Sequence, residues 1–205
     1  MNSILWVFFD IGSTLMNEEE AYRHRIRDMI HETPISFEQF SEKRIQYAKE
    51  GYNADQKTAS YFGLTKTPWH SEDEVPFDDC AKTLQALCIK GYQLGIIANQ
   101  TPGAKDRLDA WGLGKYFAVI ATSSEIGVSK PDQEIFLRAL AMADCSPKDA
   151  AMVGDRLDND IRPAKLLGMR TIRIKQGITQ YLNPFCEAEK PDFSISRLSE
   201  LLNIL

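Results

Sequence analysis

Short apolar segments of strand length recur along this chain at Leu5–Phe9, Gln93–Ala98, Phe117–Ile120, Ala150–Val153, Thr171–Ile174 and Asp192–Ile195. Runs of this kind, lacking strict alternation, suit strands buried on both faces, as in a parallel sheet. From residue 76 onward, stretches of helical spacing separate them. Leu84, Leu87 and Cys88 lead to a stop at Gly91, and Ala104, Leu108 and Trp111 lead to a stop at Gly112. A third helix is expected to open at Pro131, a residue suited to a first turn, and to carry Ile135, Phe136, Ala139 and Leu140. A fourth starts near Asn159, the expected cap, carries Ile161, Ala164 and Leu167, and stops at Gly168. A loop of about seventeen residues precedes the last strand, and Leu198–Ile204 reads as a closing helix. Strand and helix alternating in this way predict an α/β fold, a doubly wound (Rossmann-like) parallel sheet with helices on both faces.

Between residue 16 and about residue 75 the pattern predicts helices and no strand. Tyr22, Ile26, Met29 and Ile30 share a helical face. Ser36 with Gln39 forms a capping box opening a second helix that stops near Gly51, and Asn53 with Gln56 opens a short third one ending at Gly63. Thr65 to Pro76 reads as a linker. The expected organisation is a core of residues 1–15 and 76–205, interrupted by a small α-helical cap insertion of residues 16–75.

Composition narrows the function classes. The chain has 205 residues, 43% hydrophobic and 26% charged, with net charge −5 and no basic tract, which argues against nucleic acid as a partner. Cys80, Cys88, Cys145 and Cys186 are dispersed without a Cys-x-x-Cys pair, as expected for reduced thiols in the cytoplasm. The leading apolar run is too short for a signal peptide or a membrane span, so no membrane partner is expected. Both a monomer and a homodimer are compatible with this reading.

Four polar stretches lie at or just beyond the carboxyl ends of predicted strands: Asp10-Ile11-Gly12-Ser13-Thr14, Ala98-Asn99-Gln100-Thr101, Ser129-Lys130-Pro131 and Gly154-Asp155-Arg156-Leu157-Asp158-Asn159-Asp160. Taken alone, Asp10 fits a turn or a cap as well as a site. In a parallel sheet, however, all these ends share one edge, where ligands bind. Carboxylates that can hold Mg²⁺, together with one lysine to neutralise a phosphoryl group, suit metal-assisted phosphoryl transfer with Asp10 as nucleophile.

In this order the four stretches resemble the motifs of the haloacid dehalogenase superfamily, most of whose members are Mg²⁺-dependent phosphatases. Asp10, Thr14 and Leu15 match its first motif, Lys130-Pro131 its lysine motif, and Gly154-Asp155 with Asp160 its last. The resemblance implies Asp10 and Lys130 as catalytic residues. It implies a metal site of Asp10, the Gly12 carbonyl, Asp155 and Asp160, and phosphoryl contacts from Ala98, Asn99 and Lys130. A small phosphorylated metabolite is the implied substrate, with the insert as a substrate-selecting cap.

Two positions depart from that pattern. Gly12 stands where the family's phosphatases carry an acid/base Asp, and Ala98 where they present a hydroxyl. Losing general acid–base catalysis costs about 10²–10⁴-fold. The sequence therefore predicts a preference for good leaving groups, with a burst before a slow dephosphorylation. The alternatives are a phosphonatase-like C–P hydrolase using Lys43, Lys49 or Lys57 as a Schiff base, and a degenerate member that only binds a phosphorylated ligand or a partner.

Overall fold

The computed structural model describes residues 4–205, so the first three residues of the expected 1–15 segment lie outside it. The strands are β1 (Trp6–Phe9), β2 (Met16–Asn17), β3 (Val75–Pro76), β4 (Gln93–Ala98), β5 (Phe117–Thr122), β6 (Ala150–Gly154), β7 (Arg170–Ile174) and β8 (Phe193–Ile195). The α-helices are α1 (Glu19–Ile30), α2 (Phe37–Lys49), α3 (Ala54–Tyr61), α4 (Cys80–Ile89), α5 (Ala104–Ala110), α6 (Ser123–Ile126), α7 (Gln133–Met142) and α8 (Arg162–Leu167). Among the described residues, six strands form a parallel sheet in the order β5-β4-β1-β6-β7-β8. The chain winds outward from β1 through β4 to β5, then crosses to β6 and winds the other way. The carboxyl end of β1 therefore sits where the strand order reverses, the place at which open α/β sheets form their crevice.

Alternation along β1 divides the core. Val7 and Phe9 join Leu84, Leu87, Ile96 and Leu108 on one face, whereas Phe8 joins Ile97, Ile135, Phe136 and Met152 on the other. Phe8 and Phe9 are both fully buried, each contributing about 1.5–3 kcal/mol of burial free energy. Gly95 is required here because a Cβ on it would lie 2.6 Å from the Phe8 ring.

The insert forms its own apolar centre of Ile26, Met29, Phe40 and Ala59, contributed by α1, α2 and α3. The Ser36–Gln39 capping box is complete, with bonds of 3.1 and 2.9 Å, while Asn53 accepts the Gln56 N–H at 3.2 Å. The expectation of no strand in this region is corrected. Met16–Asn17 and Val75–Pro76 pair antiparallel, Met16 opposite Pro76, where the chain leaves and re-enters the sheet layer. Segments of two residues carry no readable periodicity.

Three helix boundaries also differ from expectation. α7 opens at Gln133 rather than Pro131, because Asp132 is the stronger cap and its carboxylate accepts the Glu134 N–H at 2.9 Å. Asn159 caps nothing: it lies inside a π-helical turn, Leu157–Ile161, that runs directly into α8. The closing segment Leu198–Asn203 is a 3₁₀-helix, and the long loop before β8 contains 3₁₀ turns at Ile178–Tyr181 and Glu187–Glu189. No helix among the described residues is long and apolar enough to cross a membrane.

Candidate active site

Asp10 extends β1 by one residue, its N–H donating to the Val153 carbonyl at 2.9 Å. The chain then turns sharply. The Leu15 and Met16 N–H groups both donate to the Ile11 carbonyl, and Ser13 adopts a positive φ of 52°. This turn leaves the Asp10 carboxylate at the sheet edge.

Lys130 reaches the same point from the loop before α7. Asn99, just past β4, clamps its backbone: the Lys130 N–H donates to Asn99 Oδ1 at 2.7 Å, and Asn99 Nδ2 donates to the Lys130 carbonyl at 2.9 Å. The Lys130 ammonium has three donors. They go to Asp10 Oδ1 at 2.6 Å, Asp160 Oδ1 at 2.6 Å and the Ile97 carbonyl at 2.9 Å. Asp160 is fixed by the π-helical turn, its Oδ2 accepting the Arg156 N–H at 3.0 Å. Gly154 permits this approach, since a Cβ there would stand 2.4 Å from the Asp160 carboxyl carbon. Asp155 is buried beside them and accepts a bond from the Thr179 hydroxyl at 2.8 Å.

Negative charge dominates the site. Burial works against the charged form of Lys130, but Asp10 and Asp160 outweigh it and raise its pKa. Burial, then the charges of Asp160 and Asp10, pushes Asp155 well above the usual carboxylate range. Asp160 rises to about 6, with burial the main cause and Lys130 opposing it. Asp10, Asp155 and Asp160 each offer a carboxylate oxygen, and these oxygens lie within 4.8 Å of one another. A compact set of hard oxygen donors with more negative than positive charge fits a divalent cation such as Mg²⁺. A second group, His24, His70 and Asp73, fits one poorly. The two imidazoles stack 3.5 Å apart and nearly parallel, so their in-plane lone pairs do not converge.

The site opens into a cleft of about 410 Å³. Its floor includes Asp10, Gly12, Asn99, Lys130, Asp155 and Asp160, all singled out from sequence, and its roof includes Tyr22, Lys66 and Trp69 from the insert. Ala98 is not brought in: it is fully buried in β4 and forms no part of the cleft wall, so its side chain offers a ligand nothing. Lys43, Lys49 and Lys57 also stay out of the cleft, their ammonium groups lying over Tyr47, Tyr181 and Tyr52 respectively.

Sequence reasoning missed Thr179, Lys66 and Glu18, all three of which line the cleft. Glu18 receives the Ser13 hydroxyl bond on Oε2 at 2.7 Å. Burial is the main cause that raises its carboxyl to about 7, with Ser13 opposing and the charges of Glu74, Asp10 and Asp55 adding. A folded-state pKa above the unfolded value means the folded protein binds the extra proton, so stability falls as pH climbs from about 4.5 to about 7. Replacing Glu18 by Gln is therefore expected to raise the Tm of the metal-free protein at pH 8, with the gain shrinking toward pH 5. Thermal melts at the two pH values check this, and a gain independent of pH would contradict it.

Residues 7–174 match the family of haloacid dehalogenase-like hydrolases. A glyceraldehyde 3-phosphate phosphatase from Methanopyrus kandleri is 32% identical, over 97% of this chain and 96% of its own length. A pyrophosphatase, PpaX, from Bacillus velezensis is 27% identical, over 97% of this chain and 94% of its own. Among solved structures, a HAD phosphatase from Thermococcus onnurineus superimposes with a TM-score of 0.67 at 25% identity, covering 100% of this chain and 97% of that one.

Proposed function

This chain belongs to the haloacid dehalogenase-like hydrolases, and from that premise we propose that it is a Mg²⁺-dependent phosphatase of small phosphorylated metabolites. The observation that carries the reading is the meeting of Asp10, Lys130 and Asp155, from three separated stretches, at one sheet edge. Asp10 is the nucleophile: its carboxylate oxygen attacks phosphorus, forming an aspartyl-phosphate as the substrate's ester oxygen leaves. Lys130 neutralises Asp10 and the incoming phosphoryl group without shifting, because Asp160, the Ile97 carbonyl and the Asn99 clamp fix both its ends. Asp10, Asp155 and the Gly12 carbonyl would hold Mg²⁺, with Asp160 adding charge. The ion, when bound, polarises the phosphoryl oxygens and screens the crowded carboxylates.

Residues 16–75 act as a cap that shapes the leaving-group side of the cleft, and Lys66 adds a positive charge there for an anionic substrate. The four cysteines are free thiols, in keeping with a cytoplasmic enzyme.

The test is a panel of small phosphate esters, glyceraldehyde 3-phosphate and pyrophosphate included, assayed for phosphate release with Mg²⁺ and with a chelator. Release from at least one member is expected, with a loss on chelation that Mg²⁺ restores. No release across the panel, or release indifferent to the chelator, would sink the proposal.

A further inference from the structure

We propose that Glu18 supplies the proton-transfer carboxyl of this active site, reaching from the start of α1 into the space that a side chain at position 12 would occupy. The inference rests on the phosphatase reading above and assigns a role that Gly12 leaves vacant.

Glu18 stands at the N-cap position of α1, yet its side chain caps nothing. Asn17 takes over that duty, its side-chain oxygen accepting the Glu19 N–H at 2.9 Å. Glu18 is thereby free to turn inward, and it lines the same cleft as Asp10 and Lys130. A Cβ built on Gly12 would lie 2.7 Å from Glu18 Oε1 and 3.1 Å from its carboxyl carbon. Glycine at position 12 is therefore what leaves room for the glutamate.

The two carboxyl oxygens are also distinguished. Ser13 holds Oε2, whereas Oε1, the one over Gly12, takes no hydrogen bond from any described residue. The carboxyl is thus aimed by one oxygen and left with the other available to a ligand. The Gly177 backbone packs close to this pair, since a Cβ on Gly177 would stand 3.1 Å from the Ser13 hydroxyl.

The chemistry balances with water as the only co-reactant. As Asp10 attacks phosphorus, the bond to the substrate's ester oxygen breaks and that oxygen takes the Glu18 proton. A water molecule then passes a proton to Glu18 and attacks phosphorus. The bond to Asp10 breaks, its carboxylate is restored, and Glu18 is protonated for the next cycle.

Glu18→Gln tests this. Its kcat/KM for an alkyl phosphate should fall about 10²–10⁴-fold. An aryl phosphate, whose leaving group needs less protonation, should lose much less in kcat/KM while gaining a burst, because the second step lacks its base. The swap variant Gly12→Asp with Glu18→Ala returns a carboxyl to the same space and should recover part of the alkyl phosphate turnover. Gly12→Asp alone should lower it, since both carboxyls then contend for one space. Equal losses for alkyl and aryl esters would overturn the proposal. So would a loss repaired by excess Mg²⁺, which would make Glu18 a metal ligand, or a Gly12→Asp single variant faster than the parent chain. If the unaltered protein releases no phosphate, the phosphatase reading fails first. If it does so through Asp10 but ignores Glu18→Gln, only this inference fails.

Discussion

Asp10→Asn is expected to cost turnover by on the order of 10³-fold or more, the scale seen when a covalent nucleophile is removed. The amide keeps the shape of the side chain but lacks the charged oxygen that would attack phosphorus and form the aspartyl-phosphate. The fold should not suffer. Lys130 retains Asp160 and the Ile97 carbonyl, and Asp10 is among the charges that push Asp155 and Asp160 upward. Removing one negative charge from that crowd relieves the other two. The metal-free variant should therefore melt no lower than the parent, while the Tm increase on adding Mg²⁺ shrinks because a carboxylate ligand is gone. Steady-state assays and melts with and without Mg²⁺ check both halves. Residual turnover within tenfold of the parent would remove Asp10 from the nucleophile's role.

The parts of this site legible in the sequence are those anchored to strand ends. Asp10 and Asp155 follow apolar strands directly, Asn99 follows β4, and parallel pairing brings those ends to one edge whatever the loops do. Lys130 was readable only in company, because its reach to Asp10 depends on the Asn99 clamp across a crossover. Glu18 was hidden for a physical reason: it opens an acidic run, Glu18-Glu19-Glu20, and acidic residues in a first helical turn ordinarily serve the helix dipole. Only the fold shows Asn17 taking the cap and Glu18 facing inward. Thr179 lies in a loop without periodicity, so its bond to Asp155 left no trace in the pattern. The Met16–Asn17 and Val75–Pro76 ribbon escaped for the same reason at a smaller scale. Pro131 misled because Pro suits a first helical turn generally, whereas here Asp132 is the cap that sets the boundary.

Lys130→Met should be the most damaging single change, to stability as well as to activity. The substitution keeps the apolar stem and deletes a buried ammonium that bridges two carboxylates. Taking one partner from a buried ion pair typically costs about 3–5 kcal/mol, because the charge left behind has neither water nor a counter-ion. For a chain of this length that corresponds to a Tm loss on the order of 10 °C. The loss should depend on pH, and the sign follows from the carboxyls. Asp160 already stands at about 6 with Lys130 opposing the rise, so without Lys130 its pKa climbs further. Asp155 is raised as well. Carboxyls with a folded-state pKa above the unfolded value hold protons that the unfolded chain releases, so their contribution is intact at low pH and lost as pH rises through the folded value. At pH 5 bound protons replace much of the missing positive charge, whereas at pH 8 nothing does. The variant should accordingly lie closer to the parent at pH 5 than at pH 8, and Mg²⁺ should narrow the gap at pH 8 by returning positive charge to the same carboxylates. Turnover should stay low even where stability is recovered, because neither a proton nor Mg²⁺ restores the ammonium beside Asp10. Melts at the two pH values, with and without Mg²⁺, decide the matter: equal destabilisation throughout would mean that Lys130 holds the site by packing rather than by charge.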